Sequence, residues 1–239
     1  MQKGDETMEV SSAGATATPS AWIELPHFGW ERLVAQEAPT VRFDKGQTLF
    51  SQGDAVTRVH VIEQGRVRLV LLSASGHEKH MAIVGTNGMV GECSAFLDGR
   101  HSLSAVASSD VVARQVDRRR LLAHMESDPA CMRQVLWLIG MKLRVIAVQN
   151  LLLSQASAAQ RVAHHLVQLA DTYGELLPGG EVIIRISFTH QEMANIAGLS
   201  RVMTSNVLLQ LQARAFVDKA KAHWVIRDIQ GLRQLAAGC

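Results

Sequence analysis

Short runs of strand-forming residues alternate with glycine-containing turns between residues 41 and 116. The runs span residues 48–50, 58–62, 67–72, 78–84, 104–107 and 111–116. The turns contain Gly46, Gly53, Gly65, Gly76, Gly85, Gly88 and Gly99, and glycine suits turns because it adopts positive φ at no steric cost. Many short strands with frequent turns are typical of an all-β barrel or roll. The pattern predicts a β-roll over residues 26–127, a disordered tail over residues 1–25 and a short helix around residues 22–35.

After Asp128-Pro129 the apolar residues recur at helical spacing. Asp128 suits an N-cap, and Pro129 suits the first helical position. A long helix is therefore expected over residues 128–156. Its apolar positions, with one polar exception, follow a 3-4-3-4-3 spacing through Leu136, Ile139, Leu143, Ile146, Asn150 and Leu153. Such a helix can pack on the core of its own domain or form a coiled-coil seam with a second copy. The single Asn150 favours a dimer seam, because a polar residue in an apolar seam fixes register and strand number.

The remaining chain, residues 157–239, predicts a winged-helix domain. Ser157 suits the N-cap of a helix that runs to about residue 173, and residues 174–180 read as a loop. A strand over 181–187, a helical pair over 189–212 and a hairpin over 216–227 complete the domain.

The helical pair has the pattern of a DNA-reading helix-turn-helix. Thr189 and Glu192 form a capping box for the first helix, Gly198 permits the turn, and Ser200 caps the second helix. Met203, Val207, Leu208 and Leu211 are expected to face inward. Arg201, Val202, Ser205 and Asn206 are expected to face outward near the start of the second helix, where recognition helices meet base edges. Phosphate contacts are expected mainly from Thr189, His190, Gln191, Ser200 and Ser205.

Composition narrows the class of protein. The net charge of +2 does not by itself identify a nucleic-acid partner. Three widely spaced cysteines, Cys93, Cys131 and Cys239, argue against a disulfide framework or zinc site and fit the cytoplasm. There is no signal-peptide pattern, and the apolar stretch over 135–153 is interrupted by polar residues, so no membrane association is expected. No metal-ligand spacing, catalytic triad pattern or phosphate loop is present, so no enzyme is predicted.

Motif order along the chain resembles the CRP/FNR family of transcription regulators over residues 26–230. The resemblance rests on Phe43-x-x-Gly46-x-x-Leu49-Phe50-x-x-Gly53-Asp54, Val61-Ile62-x-x-Gly65-x-Val67-Arg68, Gly91-Glu92, Phe96-x-Asp98-Gly99, Asp128-Pro129, Gln191-Glu192 and Ser200-Arg201. It implies an α+β chain with an N-terminal cyclic-nucleotide-binding-like β-roll, a long dimerisation helix and a C-terminal winged helix-turn-helix. It also implies a homodimer, an effector site between roll and long helix, a near-palindromic DNA site and, for an activator, RNA polymerase as partner.

The effector segment departs from the cyclic-nucleotide pattern of that family. The Arg-Ser pair whose arginine neutralises the phosphate reads Leu103-Ser104, and the helix positions that would offer hydroxyls to the purine are Ile146 and Ala147. We therefore expect an unidentified small molecule other than cyclic AMP, with no certain cofactor. The expected site residues are Gly91, Glu92, Cys93, Arg100, Leu103, Ser104, Leu143, Ile146 and Ala147. Their mostly apolar character suits a hydrophobic or aromatic ligand, and Arg100 or His101 would bind an acidic group if their loop turns inward.

Several alternatives stay open at this stage. The site can be filled by side chains, giving a constitutive dimeric regulator, or the protein can still respond to a cyclic nucleotide. His77 and His80 read as exposed turn histidines rather than haem ligands, and Cys93 as a small buried residue rather than a redox sensor.

The recognition helix departs from the family as well. Val202 replaces a glutamate and Asn206 a second arginine, while Arg201 remains to read guanine or hold a phosphate. Valine suits a thymine methyl group and asparagine pairs with adenine, so an A·T-richer half-site is predicted.

Overall fold

The computed structural model describes residues 20–25, 29–34, 38–97 and 99–238. Residues 1–19 of the predicted tail, residues 26–28 and 35–37, Asp98 of the family motif and Cys239 lie outside the described residues. In chain order the elements are β1 (Trp22–Ile23), α1 (Glu31–Val34), β2 (Thr40–Phe43), β3 (Thr48–Phe50), β4 (Arg58–Gln64), β5 (Val67–Leu72), β6 (Glu78–Val84), β7 (Met89–Val90), α2 (Glu92–Ala95), β8 (Ser104–Ala107), β9 (Val111–Asp117), α3 (Arg118–Ser127), α4 (Pro129–Gln155), α5 (Ala158–Tyr173), β10 (Gly174–Leu176), β11 (Val182–Ile184), α6 (His190–Ala197), α7 (Arg201–Ala213), β12 (Val217–Ala220), β13 (His223–Ile226) and α8 (Ile229–Ala237).

The N-terminal strands form two facing sheets, which confirms the predicted roll. One sheet has the order β1-β6-β5-β8-β3 and the other has the order β2-β9-β4-β7. Their inward residues are β-branched or small, such as Val59, Ile62, Val67 and Ala105, and each is fully buried. The strand bounds of β3, β5, β6 and β8 coincide with the predicted runs.

The prediction fails at the start of the roll. Trp22 and Ile23 are buried and form β1, which pairs in parallel with β6 at Ile83 and Val84. Ala21, Trp22, Ile23 and Leu25 are therefore part of the core rather than of a tail. Among the described residues, the helix expected around residues 22–35 is found only as the four residues of α1. Two apolar residues give no local strand signal, and their pairing is decided by the edge of β6.

β6 contains a bulge that matters for the interior of the molecule. Leu69 pairs with Ala82 and Val70 pairs with His80, so the register skips Met81. The Met81 carbonyl accepts a hydrogen bond from Gln149 Nε2 at 2.8 Å. A bulge leaves one residue of a ladder unpaired, and here the long helix binds that residue.

The helices begin at side-chain caps. Asp128 accepts from the amides of Ala130 and Cys131 at the start of α4, and Ser157 forms a capping box with Gln160 at the start of α5. A third sheet, β10-β11-β13-β12, lies beside α5 and α7 and completes the winged helix. The sequence patterns also missed β2, β7, α2, α3, β10 and α8. The strand expected over 181–187 is confined to Val182–Ile184.

Candidate DNA interface and effector site

The helix-turn-helix is built by its caps. Thr189 Oγ1 accepts from the Glu192 amide at 3.1 Å, and Glu192 Oε2 accepts from the Thr189 amide at 2.7 Å. α6 ends at Gly198, whose φ of +64° is the left-handed conformation that glycine adopts most easily. Ser200 Oγ then accepts from the Met203 amide at 3.1 Å and starts α7. The caps, turn and bounds agree with the sequence prediction.

The first turns of α7 present an exposed face. Arg201, Val202 and Asn206 are exposed, and Val202 exposes 70% of its surface. Ser205 is half-buried, and its Oγ lies 2.8 Å from His190 Nδ1 of α6. Met203 is 48% exposed, so its predicted inward orientation is wrong. Thr204 takes that place and is fully buried, because a 3.6-residue period turns position 204 rather than 203 toward Val207 and Leu208.

Trp224 of the wing packs against residues at the start of the helix pair. Trp224 of β13 is buried and stacks on Phe188 with ring centroids 6.2 Å apart. His190 lies 6.1 Å from the same indole. Burial, followed by the nearby Lys219 and Arg201, lowers the pKa of His190, so the imidazole that contacts Ser205 is neutral at physiological pH. Thr189, Gln191 and Ser200, the other predicted phosphate ligands, are exposed.

α4 has two apolar faces. Its inner face is buried against the rest of the chain through Cys131, Val135, Leu138, Lys142, Val145, Gln149 and Leu152. Its outer face exposes 57% of Leu136, 65% of Leu143, 38% of Ile146 and 45% of Leu153, together with Asn150, while Ile139 is half-buried. Its length and composition would suffice for a membrane span, contrary to expectation, and 33% of its most apolar stretch is buried within the chain. Packing on the core of its own chain is therefore observed for the inner face, and the residues of the predicted dimer seam lie on the exposed outer face.

The expected effector region contains a buried ion pair. Lys142 Nζ of α4 lies 2.5 Å from Glu92 Oε1 of α2 and donates to the Met89 carbonyl at 2.7 Å. Glu92 is fully buried and Lys142 is 5% exposed. The second carboxylate oxygen, Glu92 Oε2, is buried without a hydrogen-bond partner, although buried polar atoms are normally satisfied. Glu92 was predicted from the sequence as a site residue, whereas Lys142 was not. The spacing of Lys142, three residues before the buried Val145, could have indicated that Lys142 lies on the inner face of α4.

Two of the other predicted effector residues, Gly91 and Cys93, flank Glu92 in the chain. Gly91 precedes Glu92 with a φ of +95°. Ser104 is buried and accepts from the Gln52 amide at 2.9 Å, and Leu103 is half-buried. Cys93 is an exposed residue, so its predicted burial is wrong. Its thiol nevertheless lies 3.2 Å from Glu92 Oε1, and local desolvation and that carboxylate raise its pKa to about 12, which disfavours a reactive thiolate.

Four predicted residues lie apart from the ion pair. Leu143, Ile146 and Ala147 are exposed on the outer face of α4. The Arg100 guanidinium is at the surface and donates to the Gly53 carbonyl at 2.8 Å. His101, its neighbour, turns inward and is 4% exposed.

The histidines of the roll differ from expectation. His101 stacks on Phe50 with ring centroids 3.7 Å apart, and its Cε1 would lie 3.3 Å from a Cβ added at Gly91. His80 is 1% exposed rather than a surface turn residue, and burial, with Arg68 and Lys79 nearby, lowers its pKa to about 3. His77 is exposed as expected. Within the part of the chain that the structure describes, no three His, Cys, Asp or Glu side chains are grouped to hold a metal ion.

Comparison with known proteins agrees with both halves of this geometry. Residues 40–128 match the family model of the cyclic nucleotide-binding domain, and residues 160–235 match the Crp-like helix-turn-helix domain. The chain is 30% identical over 196 residues to the cyclic AMP receptor protein of Thermus thermophilus, covering 82% of this chain and 87% of that protein. It is 27% identical over 203 residues to the CRP-like cAMP-activated global transcriptional regulator of Mycobacterium tuberculosis, covering 85% and 90% of the two chains. The solved structure of FixK2 from Bradyrhizobium japonicum is similar in fold, with a TM-score of 0.74 and 22% identity over 84% of this chain and 98% of that one.

Proposed function

The chain belongs to the CRP/FNR family of helix-turn-helix transcription regulators, and from that premise we propose that it works as a homodimer that reads a near-palindromic duplex under the control of a small molecule. The division into an effector-sensing roll, a dimerisation helix and a DNA-binding winged helix is part of this proposal. So is a cytoplasmic location.

The uncovered face of α4 carries the dimer proposal. Large apolar side chains that are 38% to 65% exposed are arranged along one face at coiled-coil spacing, with Asn150 among them. Exposed apolar strips of this kind mark association sites. A second copy paired along α4 would cover the strip and place two copies of α7 on one side of the dimer, as two adjacent half-sites require.

Two measurements on the unmodified protein test this function. Sedimentation velocity at micromolar concentration should give a dimer. Selection from a random duplex library should return a two-fold symmetric site. A monomer that retains no duplex would remove the proposal.

The effector site is proposed to centre on Glu92 and Lys142. A ligand that donates a hydrogen bond to Glu92 Oε2 would satisfy the one buried oxygen of the pair that has no partner. Such a bond would remove the free-energy penalty of leaving that buried oxygen unsatisfied, and this would favour binding. The stacked rings of His101 and Phe50, which lie next to Gly91, favour an aromatic body on such a ligand.

Cyclic AMP, to which the named relatives respond, fits this site poorly. A phosphate needs an unpaired cation, and the ammonium of Lys142 is already compensated by a carboxylate at 2.5 Å. Thermal unfolding with millimolar cyclic AMP should therefore show no rise in midpoint, whereas a matching effector raises it because it binds only the folded state. A rise of several degrees with cyclic AMP that Glu92→Gln abolishes, and that the exposed control Glu126→Gln retains, would make cyclic AMP the effector.

A constitutive regulator remains the second candidate, and one observation favours it. Lys142 and Glu92 neutralise each other without any ligand, as a permanently filled site requires. Tight duplex binding by protein purified through a denaturation and refolding step, which removes bound small molecules, would support this candidate over the effector-controlled one.

A further inference from the structure

The carboxyl end of α6 is held by two cations from outside the helix pair. Lys79 of β6 donates to the Ile196 carbonyl. Arg161 of α5 donates from Nη1 to the carbonyls of Ala197 and Gly198 at 3.0 and 3.2 Å. The last carbonyls of a helix lack partners within it and carry the negative end of its dipole, so both cations are bound where they stabilise the helix.

Lys79 makes this contact from the other domain. It lies in the roll, 117 residues before Ile196 in the chain, and its other hydrogen bond goes to the His80 carbonyl at 3.2 Å. Burial and the nearby Arg161 lower its pKa to about 8. An ammonium group placed among carbonyl oxygens at the interface acts as a link between the roll and the first helix of the pair.

A neutral link lies next to it. Asn195 Nδ2 of α6 is 3.3 Å from His80 Nε2 and 3.4 Å from Glu78 Oε2 of β6. Since the low pKa of His80 keeps its ring neutral, the ring nitrogen can accept from the amide of Asn195. The same strand receives Gln149 of α4 at Met81, so β6 connects the roll, the long helix and the helix-turn-helix.

We propose that Lys79 is a positioning residue for DNA binding, which fixes the orientation of the helix-turn-helix on the roll without touching DNA. The link is made at the carboxyl end of α6, while Arg201, Val202 and Asn206 remain exposed at the start of α7. It is therefore compatible with a bound duplex. Two half-sites at a fixed spacing require two recognition helices in a fixed geometry, and a loosened domain must be ordered on binding at a cost in affinity.

The test uses the full chain and the duplex that the unmodified protein selects from a random library, so it rests on the proposed function. Lys79→Met keeps the length of the side chain and removes the donor, Lys79→Arg restores a donor, and Lys45→Met removes an exposed lysine of the roll as a control. Affinity is measured by fluorescence anisotropy at several salt concentrations. We expect Lys79→Met to bind about tenfold more weakly, Lys79→Arg to recover most of the loss, and Lys45→Met to match the unmodified protein.

The salt dependence separates positioning from contact. If Lys79 only positions the domain, the slope of log affinity against log salt stays unchanged in Lys79→Met. A slope reduced by about one would mean a lost phosphate contact and overturn the proposal. Unchanged or tighter binding by Lys79→Met overturns it as well.

Amide hydrogen exchange tests the link without DNA. In Lys79→Met the amides of residues 194–200 should exchange faster, while those of β12 and β13 keep the rates of the unmodified protein. Equal exchange at 194–200 would overturn the link even if the protein binds DNA. Failure of the unmodified protein to bind any duplex, with the exchange difference present, would count against the proposed function and not against the link.

Discussion

Gly198 lies where the turn of the helix-turn-helix meets the end of the long helix. Its φ is +64°, and a Cβ added there would lie 2.6 Å from Leu153 Cδ2 of α4. Two separate features therefore favour glycine: the backbone conformation and the close approach of α4. Leu153 is also a residue of the predicted seam, so the same side chain borders both the uncovered face and the DNA-reading motif.

Gly198→Ala should lower the free energy of unfolding by about 1–2 kcal/mol, because a left-handed backbone is costly for residues with a Cβ. Leu153 must also shift its terminal methyl group. Urea unfolding measures the loss, and Gly179→Ala is the matched control, since an added Cβ there meets nothing within 4 Å. Equal stability of the two variants would show that the turn tolerates alanine.

Buried histidines make the stability dependent on pH. His165 is 2% exposed, and burial, with His164 and Lys79 nearby, lowers its pKa from 6.5 to about 3. Above pH 6.5 both folded and unfolded imidazoles are neutral, and the full stability is present. As pH falls from 6.5 toward 3, the unfolded chain binds a proton that the folded chain does not, so stability is lost.

His165→Gln should flatten this dependence by about 1.4 kcal/mol per pH unit below pH 6.5. Urea unfolding at a series of pH values between 5 and 7.5 gives the slope, which is independent of any uniform loss caused by the substitution. The exposed His77→Gln should leave the slope unaltered. Parallel stability curves for His165→Gln and the unmodified protein would mean that His165 is protonated in the folded state.

Among the elements, α7 is the one that we propose reads the DNA sequence. Val202 is exposed and apolar and Asn206 is exposed on the next turn. A valine contacts a thymine methyl group, and an asparagine pairs through two hydrogen bonds with adenine. The element therefore offers A·T-directed contacts at two positions and a guanine or phosphate contact at Arg201.

Val202→Glu should move the preference at one position of each half-site toward C·G, because glutamate accepts from cytosine N4. Asn206→Ala should reduce discrimination for adenine at its position by about 1–3 kcal/mol. Repeating the library selection with each variant measures both changes, and Gln210→Ala, exposed farther along α7, should select the unmodified site. Selection of a G·C-containing half-site by the unmodified protein would contradict the assignment.

Element positions follow from the sequence where the signal is local. Asp128, Ser157, Thr189 and Ser200 each cap the predicted helix, because a cap depends on residues three positions apart. β1 could not be predicted in this way, since Trp22 and Ile23 become a strand only through the distant edge of β6. Lys142 was missed for the same reason, because its partner Glu92 is 50 residues away in the chain. From the sequence alone, an isolated lysine in an apolar helix indicates only an interruption of the apolar stretch.

At the scale of the whole molecule, α4 connects the candidate effector site with the surface expected to hold the second copy. Lys142 faces Glu92 from the inner side, and Leu143, the next residue, is 65% exposed on the outer side. A ligand that competes for Glu92 would act on Lys142 and so on the rotation or position of α4. Neighbouring residues on one rigid helix move together, so such a change would reach the dimer seam directly.

Leu143→Asp should convert the dimer into a monomer without unfolding it, because a buried carboxylate at the seam of two helices has no compensating partner, whereas in a monomer the same side chain is hydrated. Leu176→Asp, which replaces an even more exposed leucine at 72% in the third sheet, should remain dimeric. Sedimentation velocity and circular dichroism distinguish dissociation from unfolding.

If the dimer is required to engage two half-sites, Leu143→Asp also loses at least 100-fold in affinity for the selected duplex, since each half-site is then bound separately. A folded, monomeric Leu143→Asp that still bound this duplex tightly would show that one copy suffices for DNA reading, and the uncovered face of α4 would then need another explanation.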